Sequence, residues 1–374
     1  MGGSSVGAGG APRLGADQPG HGFESRVMRE RKSLLVRADA STQIGAGHVM
    51  RCLALSKAWQ CSGGDVTFAC AEVLPALRQR LQQENFEVLA IEAEPGGGQD
   101  AQRTGELAKQ LRSEWVVVDG YRFGPDYYRR LRGSGLRSLA IDDDGRFDDY
   151  CADVVLNQNA SASQAMYKSR QPYTKLMLGS SFVLLRPEFT RAPGGRKIPE
   201  IAQNLLITMG ATDPENVTLK VVQALVEMRS DNVEIRVVLG SGYRHAAELR
   251  TLVSNLRVNI SLEENPPDMV PLMAWADVAI SAAGGTCWEL AHMGVPAVVI
   301  AISSDQAGIA QAVEARGVAR NLGCHADVSA CQIVNAIHEL ISDKQRRHSM
   351  SHAGQQLVDG LGAKRVVEFL QQKA

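Results

Sequence analysis

The stretch Ser33-Leu34-Leu35-Val36-Arg37-Ala38-Asp39-Ala40-Ser41, running on through Ile44-Gly45-Ala46-Gly47-His48 to Trp59, decides the fold. It begins as an apolar strand over 33–38, breaks at glycines, and resumes with helical spacing over 48–61. Strand, glycine turn and helix in that order open a parallel α/β sheet, whose ligands bind beyond the carboxyl ends of its strands. The turn also puts a lone imidazole, His48, in the first turn of a helix, among unpaired N–H groups and a partial positive charge. The charged form of a histidine is disfavoured at such a place, which suits His48 to general-base work. The plain alternative is a histidine that only caps or packs the turn. Gly45 and Gly47 let other groups come close. Asp39, leaving the strand on the ligand side, orients His48, binds a sugar hydroxyl, or is an ordinary turn aspartate.

Strand patterns recur at 65–70, 86–91, 115–119, 137–141 and 153–156, separated by helical patterns at 73–83, 101–113 and 125–133. Apolar strands alternating with helices imply a parallel sheet covered on both faces. Prolines and glycines between Arg186 and Gln203 interrupt this rhythm, as a connection does. A second series follows, with strands near 204–209, 233–239, 257–262, 277–281 and 296–301, and more helix over 327–372. The expected architecture is α/β: two Rossmann-like domains facing each other across a cleft. Residues 33–190 form the domain that carries the base, 191–203 a linker, and 204–374 the second domain. Residues 1–32 begin rich in Gly, Ser, Ala and Pro and lack hydrophobic periodicity, so a disordered leader is expected there.

Forty basic and 41 acidic residues nearly cancel, which argues against nucleic acid as the main partner. The hydrophobic fraction of 44% and charged fraction of 22% are those of an ordinary soluble protein. No apolar run approaches the roughly 18 residues of a membrane span. Seven cysteines, dispersed and without a C-x-x-C, fit reduced, mostly buried thiols and a cytoplasmic location. A monomer is expected.

Other strand ends carry the remaining candidates. Asp119-Gly120-Tyr121 closes a Trp-Val-Val-Val run, so Tyr121 faces the ligand side. Asp142-Asp143-Asp144 suggests a metal at first sight, but adjacent side chains diverge and no histidine accompanies them. A solvated turn with one aspartate toward the ligand is expected instead. His348 and His352 stand four apart on a helix without a third ligand, as on an ordinary helix surface. In the second half, Gly284-Gly285-Thr286 joins a strand to a helix, where glycines and a helix start admit an anion such as a pyrophosphate. Glu289, one turn on, suits ribose hydroxyls or is simply favoured by the helix dipole. Met209-Gly210-Ala211-Thr212 and Ser303-Ser304-Asp305-Gln306 are two further polar strand ends. No metal and no cofactor are expected.

Taken in order, a set of motifs resembles those of a nucleotide-sugar hydrolase family. They are Arg37-Ala38-Asp39-Ala40-Ser41, Ile44-Gly45-Ala46-Gly47-His48-Val49-Met50-Arg51, Val118-Asp119-Gly120-Tyr121 and Ile141-Asp142-Asp143. Leu156-Asn157-Gln158-Asn159, Leu185-Arg186-Pro187-Glu188-Phe189 and Ala283-Gly284-Gly285-Thr286 with Glu289-Leu290 complete the set, which runs from Ser33 to Gln306. The family is that of the UDP-2,4-diacetamido-2,4,6-trideoxy-β-L-altropyranose hydrolases of pseudaminic acid biosynthesis. The chain is similar, more distantly, to the undecaprenyl-linked N-acetylglucosaminyltransferases of peptidoglycan synthesis, which share the GT-B architecture.

The resemblance implies a GT-B-like fold and attack of water at C1 of a UDP-sugar, with inversion and no metal. It implies His48 as the base and Tyr121 as a sugar contact, with Gly45, Gly47 and Arg51 beside the substrate. Gly284, Gly285 and Thr286 would hold the pyrophosphate, Glu289 the ribose and residues 265–272 the uracil, with Asp305 and Gln306 also at the substrate. Asp305 departs from the pattern, which has asparagine before the glutamine. A carboxylate about 4 Å from a phosphate charge costs on the order of 1 kcal/mol in water. Asp305 must therefore turn away, be protonated, or meet a different group of the substrate. A GT-B glycosyltransferase using a UDP-sugar donor is the rival with the same motifs.

Overall fold

The structure, a computed structural model, describes residues 1–3, 32–192, 195–227, 232–255 and 259–372. The expected leader, from residue 4 to 31, and the first two residues of the strand expected at 257–262 lie outside the described residues.

Apolar residues at both odd and even positions make β1 (Ser33–Ala38) a strand covered on two faces. Leu34, Leu35 and Val36 are all fully buried. It sits inside a seven-stranded sheet with β2 (Asp65–Cys70), β3 (Glu87–Ala90), β4 (Ser113–Asp119), β5 (Arg137–Ile141), β6 (Val154–Asn157) and β7 (Lys175–Leu178). The order is β3-β2-β1-β4-β5-β6-β7, and every pairing is parallel. The second sheet contains β8 (Asn204–Thr208), β9 (Glu234–Leu239), β10 (Ile260–Glu264), β11 (Val278–Ala282), β12 (Ala297–Ala301) and β13 (Ala319–Cys324). Its order, β10-β9-β8-β11-β12-β13, repeats the same logic, again with parallel pairings.

In each sheet the winding reverses between the first strand and the fourth. Such a reversal opens a crevice beyond the carboxyl ends of the two strands. In the first sheet Ala38 pairs with Asp119, so the turn after β1 and the end of β4 emerge side by side. In the second sheet Thr208 pairs with Ser281 in the same relation.

β7 and β13 were not expected from the sequence. β7 has only four residues, and β13 contains Arg, Asn and Gly with a mostly half-buried edge pattern, so neither carries a strong strand signature. The segment expected as one helical region over 327–372 is three helices, Ala330–Ser342, Lys344–Leu357 and Gly362–Gln372. The last of these joins the first core, although everything after 204 was expected in the second domain. Val366 and Leu370 are fully buried among residues of β1, β4 and the helix Gly47–Cys61, and Trp115 Nε1 donates to the Leu370 carbonyl at 3.1 Å. Among the described residues no helix is long and apolar enough to cross a membrane. All seven cysteines are free, with Cys52, Cys70, Cys151 and Cys287 buried.

Candidate active site

His48 is the second residue of the helix Gly47–Cys61, and the turn before it is tight. Gly45 N–H donates to the Ser41 carbonyl at 2.9 Å, and Gly45 has φ +75°, a conformation that L side chains adopt only with strain. The imidazole is nearly buried and its Nδ1 lies 2.7 Å from Asp119 Oδ1. A carboxylate only accepts, so the Nδ1 proton points at Asp119 and Nε2 is the nitrogen left for the cleft. Asp119 is itself completely buried and takes two further N–H groups of Arg51, from Nε and Nη2, each at 2.6 Å. Burial pushes the Asp119 carboxyl up, but the Arg51 charge and His48 outweigh it and hold the group well below the usual carboxylate range. The Cys52 thiol, 3.6 Å from Asp119 Oδ2, is pushed up by burial and by that carboxylate.

Asp39 does not orient His48. Arg37 leaves β1 fully buried and needs counter-charge, and Asp39 supplies part of it at 2.7 Å, with Asp100 supplying the rest through two hydrogen bonds. Asp39 Oδ1 also accepts the N–H groups of Ala71 and Glu72, so it ties β1 to the turn after β2. The orienting carboxylate is Asp119. It stands at the end of an apolar run, but that β4 lies beside β1 is not legible in one sequence.

Arg51, expected beside the substrate, spends its fork on Asp119 and reaches Asp143 through Nη1 at 2.6 Å. The three consecutive aspartates have three separate tasks, as diverging side chains require. Asp142 accepts the hydroxyls of Tyr150 and Tyr167, Asp143 pairs with Arg51, and Asp144 pairs with Arg146. Among the described residues no group of three or more His, Cys, Asp or Glu side chains is placed to hold a metal.

Tyr121 sets its ring edge-on to His48, with centroids 4.8 Å apart, and the Arg146 guanidinium lies 4.2 Å over its ring. Its hydroxyl donates across the cleft to Asp305 Oδ2 at 3.1 Å. Burial, then Asp143 and Asp305, push the Tyr121 hydroxyl above its ordinary value. Asp305 thus accepts a hydrogen bond from the other domain while still lining the cleft.

Opposite stands the turn after β11. The N–H groups of Cys287 and Trp288 close on the carbonyls of Gly284 and Gly285, so those just before them precede the first bonded turn of the helix Thr286–His292. Open space faces Gly285, and Gly284 faces Gln306 Nε2. Gln306 is fixed by its other end, Oε1 accepting the Ile302 N–H at 3.1 Å. Glu289 Oε1 accepts from Arg186 Nη2 at 3.0 Å, and Arg186 Nη1 also donates to Glu188 at 2.7 Å. Burial raises the Glu289 carboxyl, and Arg186 opposes that rise. Arg186 belongs to the segment Leu185-Arg186-Pro187-Glu188-Phe189, but its role depends on a fold that lays the connection against the second domain.

These groups share one cleft of about 890 Å³, lined by Gly45, Gly47, His48, Arg51 and Tyr121 on one side and by Gly284–Thr286, Glu289, Asp305 and Gln306 on the other. Such a volume suits a ligand the size of a nucleotide-sugar. His348 and His352 lie on the helix Lys344–Leu357, away from this lining.

Two parallel-sheet α/β domains opposed across a ligand cleft define the GT-B fold. Within it, residues 204–366 match the glycosyltransferase family 28 C-terminal domain. The structure of MurG from Acinetobacter baumannii superposes with a TM-score of 0.61 at 18% identity, covering 91% of this chain and 99% of that one. The UDP-2,4-diacetamido-2,4,6-trideoxy-β-L-altropyranose hydrolase of Campylobacter jejuni is 28% identical over 194 residues, 51% of this chain and 65% of that protein. The UDP-N-acetylglucosamine–N-acetylmuramyl-(pentapeptide) pyrophosphoryl-undecaprenol N-acetylglucosamine transferase of Xanthomonas oryzae pv. oryzae is 28% identical over 189 residues, 49% of this chain and 42% of that protein. The chain thus spans less than two thirds of the length of these curated relatives.

Proposed function

We propose that the protein hydrolyses a UDP-linked diacetamido-trideoxyhexose, UDP-2,4-diacetamido-2,4,6-trideoxy-β-L-altropyranose, to the free sugar and UDP. The observation that carries this is the placement of a carboxylate-held imidazole at the winding reversal of one sheet, facing a glycine turn at the reversal of the other. His48 Nε2 takes a proton from water as the water oxygen bonds to C1 and the bond from C1 to the diphosphate breaks, inverting the anomeric centre. Asp119 stabilises the imidazolium so formed. The cleft arginines Arg51, Arg80 and Arg186 are all paired with carboxylates. Charge developing on UDP therefore falls to the N–H groups of the Gly284–Thr286 turn and to Gln306 Nε2. Seven free thiols suit a reducing compartment, and we place the protein in the cytoplasm.

The rival is transfer of the same sugar to an acceptor alcohol, favoured by the family 28 match over 204–366. Purified protein with donor and water alone separates the two. Steady UDP release supports hydrolysis, whereas release that waits for an added alcohol identifies a transferase. His48→Asn should slow UDP release by about 10²–10⁴-fold while UDP still binds. Unchanged release would remove His48 from the chemistry.

A further inference from the structure

An arginine beside a catalytic histidine works against the proton that a base must accept, so its presence needs a reason. Arg51 Nη2 lies 3.2 Å from His48 Nδ1, and Arg51 makes both of its bonds to Asp119 at 2.6 Å. Its third bond, to Asp143, is also 2.6 Å, and Asp143 is held in turn by Asn159 Nδ2, 2.9 Å from its carbonyl and 3.3 Å from its Oδ1. The Arg51 side chain is only 13% exposed.

We propose that Arg51 is a positioning residue for the base rather than a ligand of the substrate. It locks Asp119 in the plane that receives His48 Nδ1–H, and it takes up carboxylate charge that His48 would otherwise meet alone. This rests on His48 being the base. The charged and titratable groups around the ring are Asp119 from β4, Arg51 and Cys52 from its own helix, and Tyr121 from the turn after β4. Asp143 acts through Arg51, while Asp305 and Arg146 act through Tyr121. In direct contact, then, the imidazole meets one carboxylate already claimed by one guanidinium. With Arg51 gone, the whole carboxylate charge falls to His48 and favours its protonated form. A lysine would keep the charge but not the planar fork.

The test is a proton NMR titration of the His48 Cε1–H in the full-length protein without ligand. Arg51→Gln should move the midpoint up by about one pH unit, a tenfold gain in proton affinity. Arg51→Lys should move it less than half as far. Should Arg51→Gln fail to fold, Asp143→Asn loosens the other end of the clamp and should give a smaller upward move. A midpoint unmoved in the folded variants overturns the proposal. So does a tenfold loss of UDP affinity with the midpoint unmoved, which would make Arg51 a ligand. Absence of UDP release from the donor would instead overturn the hydrolase function, and the titration would still decide what Arg51 does.

Discussion

Asp119 Oδ1 lies 2.7 Å from His48 Nδ1 because β1 and β4 are neighbours, although 71 residues separate the pair in the chain. The carboxylate sits in a dry place and is held ionised by Arg51 and His48. Its folded pKa is depressed, so the stability it lends is complete above the ordinary aspartate value of about 3.9 and is lost as pH falls further. Asp119→Asn should cost about 2 kcal/mol in urea unfolding at neutral pH, the scale of hydrogen bonds to a charged group. The gap from the unmodified protein should narrow below about pH 4. A gap that stays constant through that range would show that Asp119 is not ionised in the fold.

The two glycines before the helix are not equivalent. Gly45 has φ +75°, whereas Gly47 is the first helical residue and has nothing near its Cβ position. Gly45→Ala should destabilise by about 1–2 kcal/mol, the cost of a left-handed conformation for an L residue. It should also reduce UDP release, because the turn sets the entry of His48. Gly47→Ala should be neutral or stabilising by up to about 1 kcal/mol. Equal effects of the two, by thermal unfolding and by turnover, would mean that the turn is not what places the base.

Strands with continuous apolar runs and glycine turns at their ends were legible in the sequence, and so were the strand-end residues of the cleft, though not the face that Arg80 and Glu84 give it. Pairing order was not. It is set by which strands lie side by side, which is why orienting His48, one of the readings open to Asp39, falls to Asp119 instead. Buried arginines were equally hidden, because Arg37, Arg51 and Arg186 each have a carboxylate partner distant in the chain, Asp100, Asp119 and Glu289. The helix Gly362–Gln372 shows the same limit. Its apolar face is plain in sequence, but nothing local says that it packs on the first core.

Tyr121 and Asp305 span the cleft through a single hydrogen bond of 3.1 Å. Tyr121→Phe keeps the ring against His48 and removes only the bond, whereas Tyr121→Ala removes both. The Phe variant should therefore lose less than tenfold in kcat/KM and the Ala variant more. In a double-mutant cycle, Tyr121→Phe with Asp305→Ala should show a coupling of about 0.5–1.5 kcal/mol in stability, the net worth of one hydrogen bond. Strict additivity would mean that the domains do not meet there in solution.

Glu289 is buried enough for its carboxyl to be raised, and Arg186 is what resists that rise. In the proposed role of holding the ribose, an ionised Glu289 accepts two hydroxyls better than a neutral one, since only the carboxylate has all its lone pairs to offer. Glu289→Gln should therefore weaken UDP binding about tenfold, the loss of one charge-assisted hydrogen bond, to a similar extent at pH 6 and pH 8. Arg186→Met should weaken it too, but unevenly. Without the guanidinium, burial and Glu188 act on Glu289 against Arg80 alone, its folded pKa rises further, and the neutral fraction grows as pH falls. The affinity of Arg186→Met for UDP should accordingly be lower at pH 6 than at pH 8 by calorimetry, while Glu289→Gln changes little between them. If Arg186→Met binds UDP equally at both values, Arg186 does not act through Glu289.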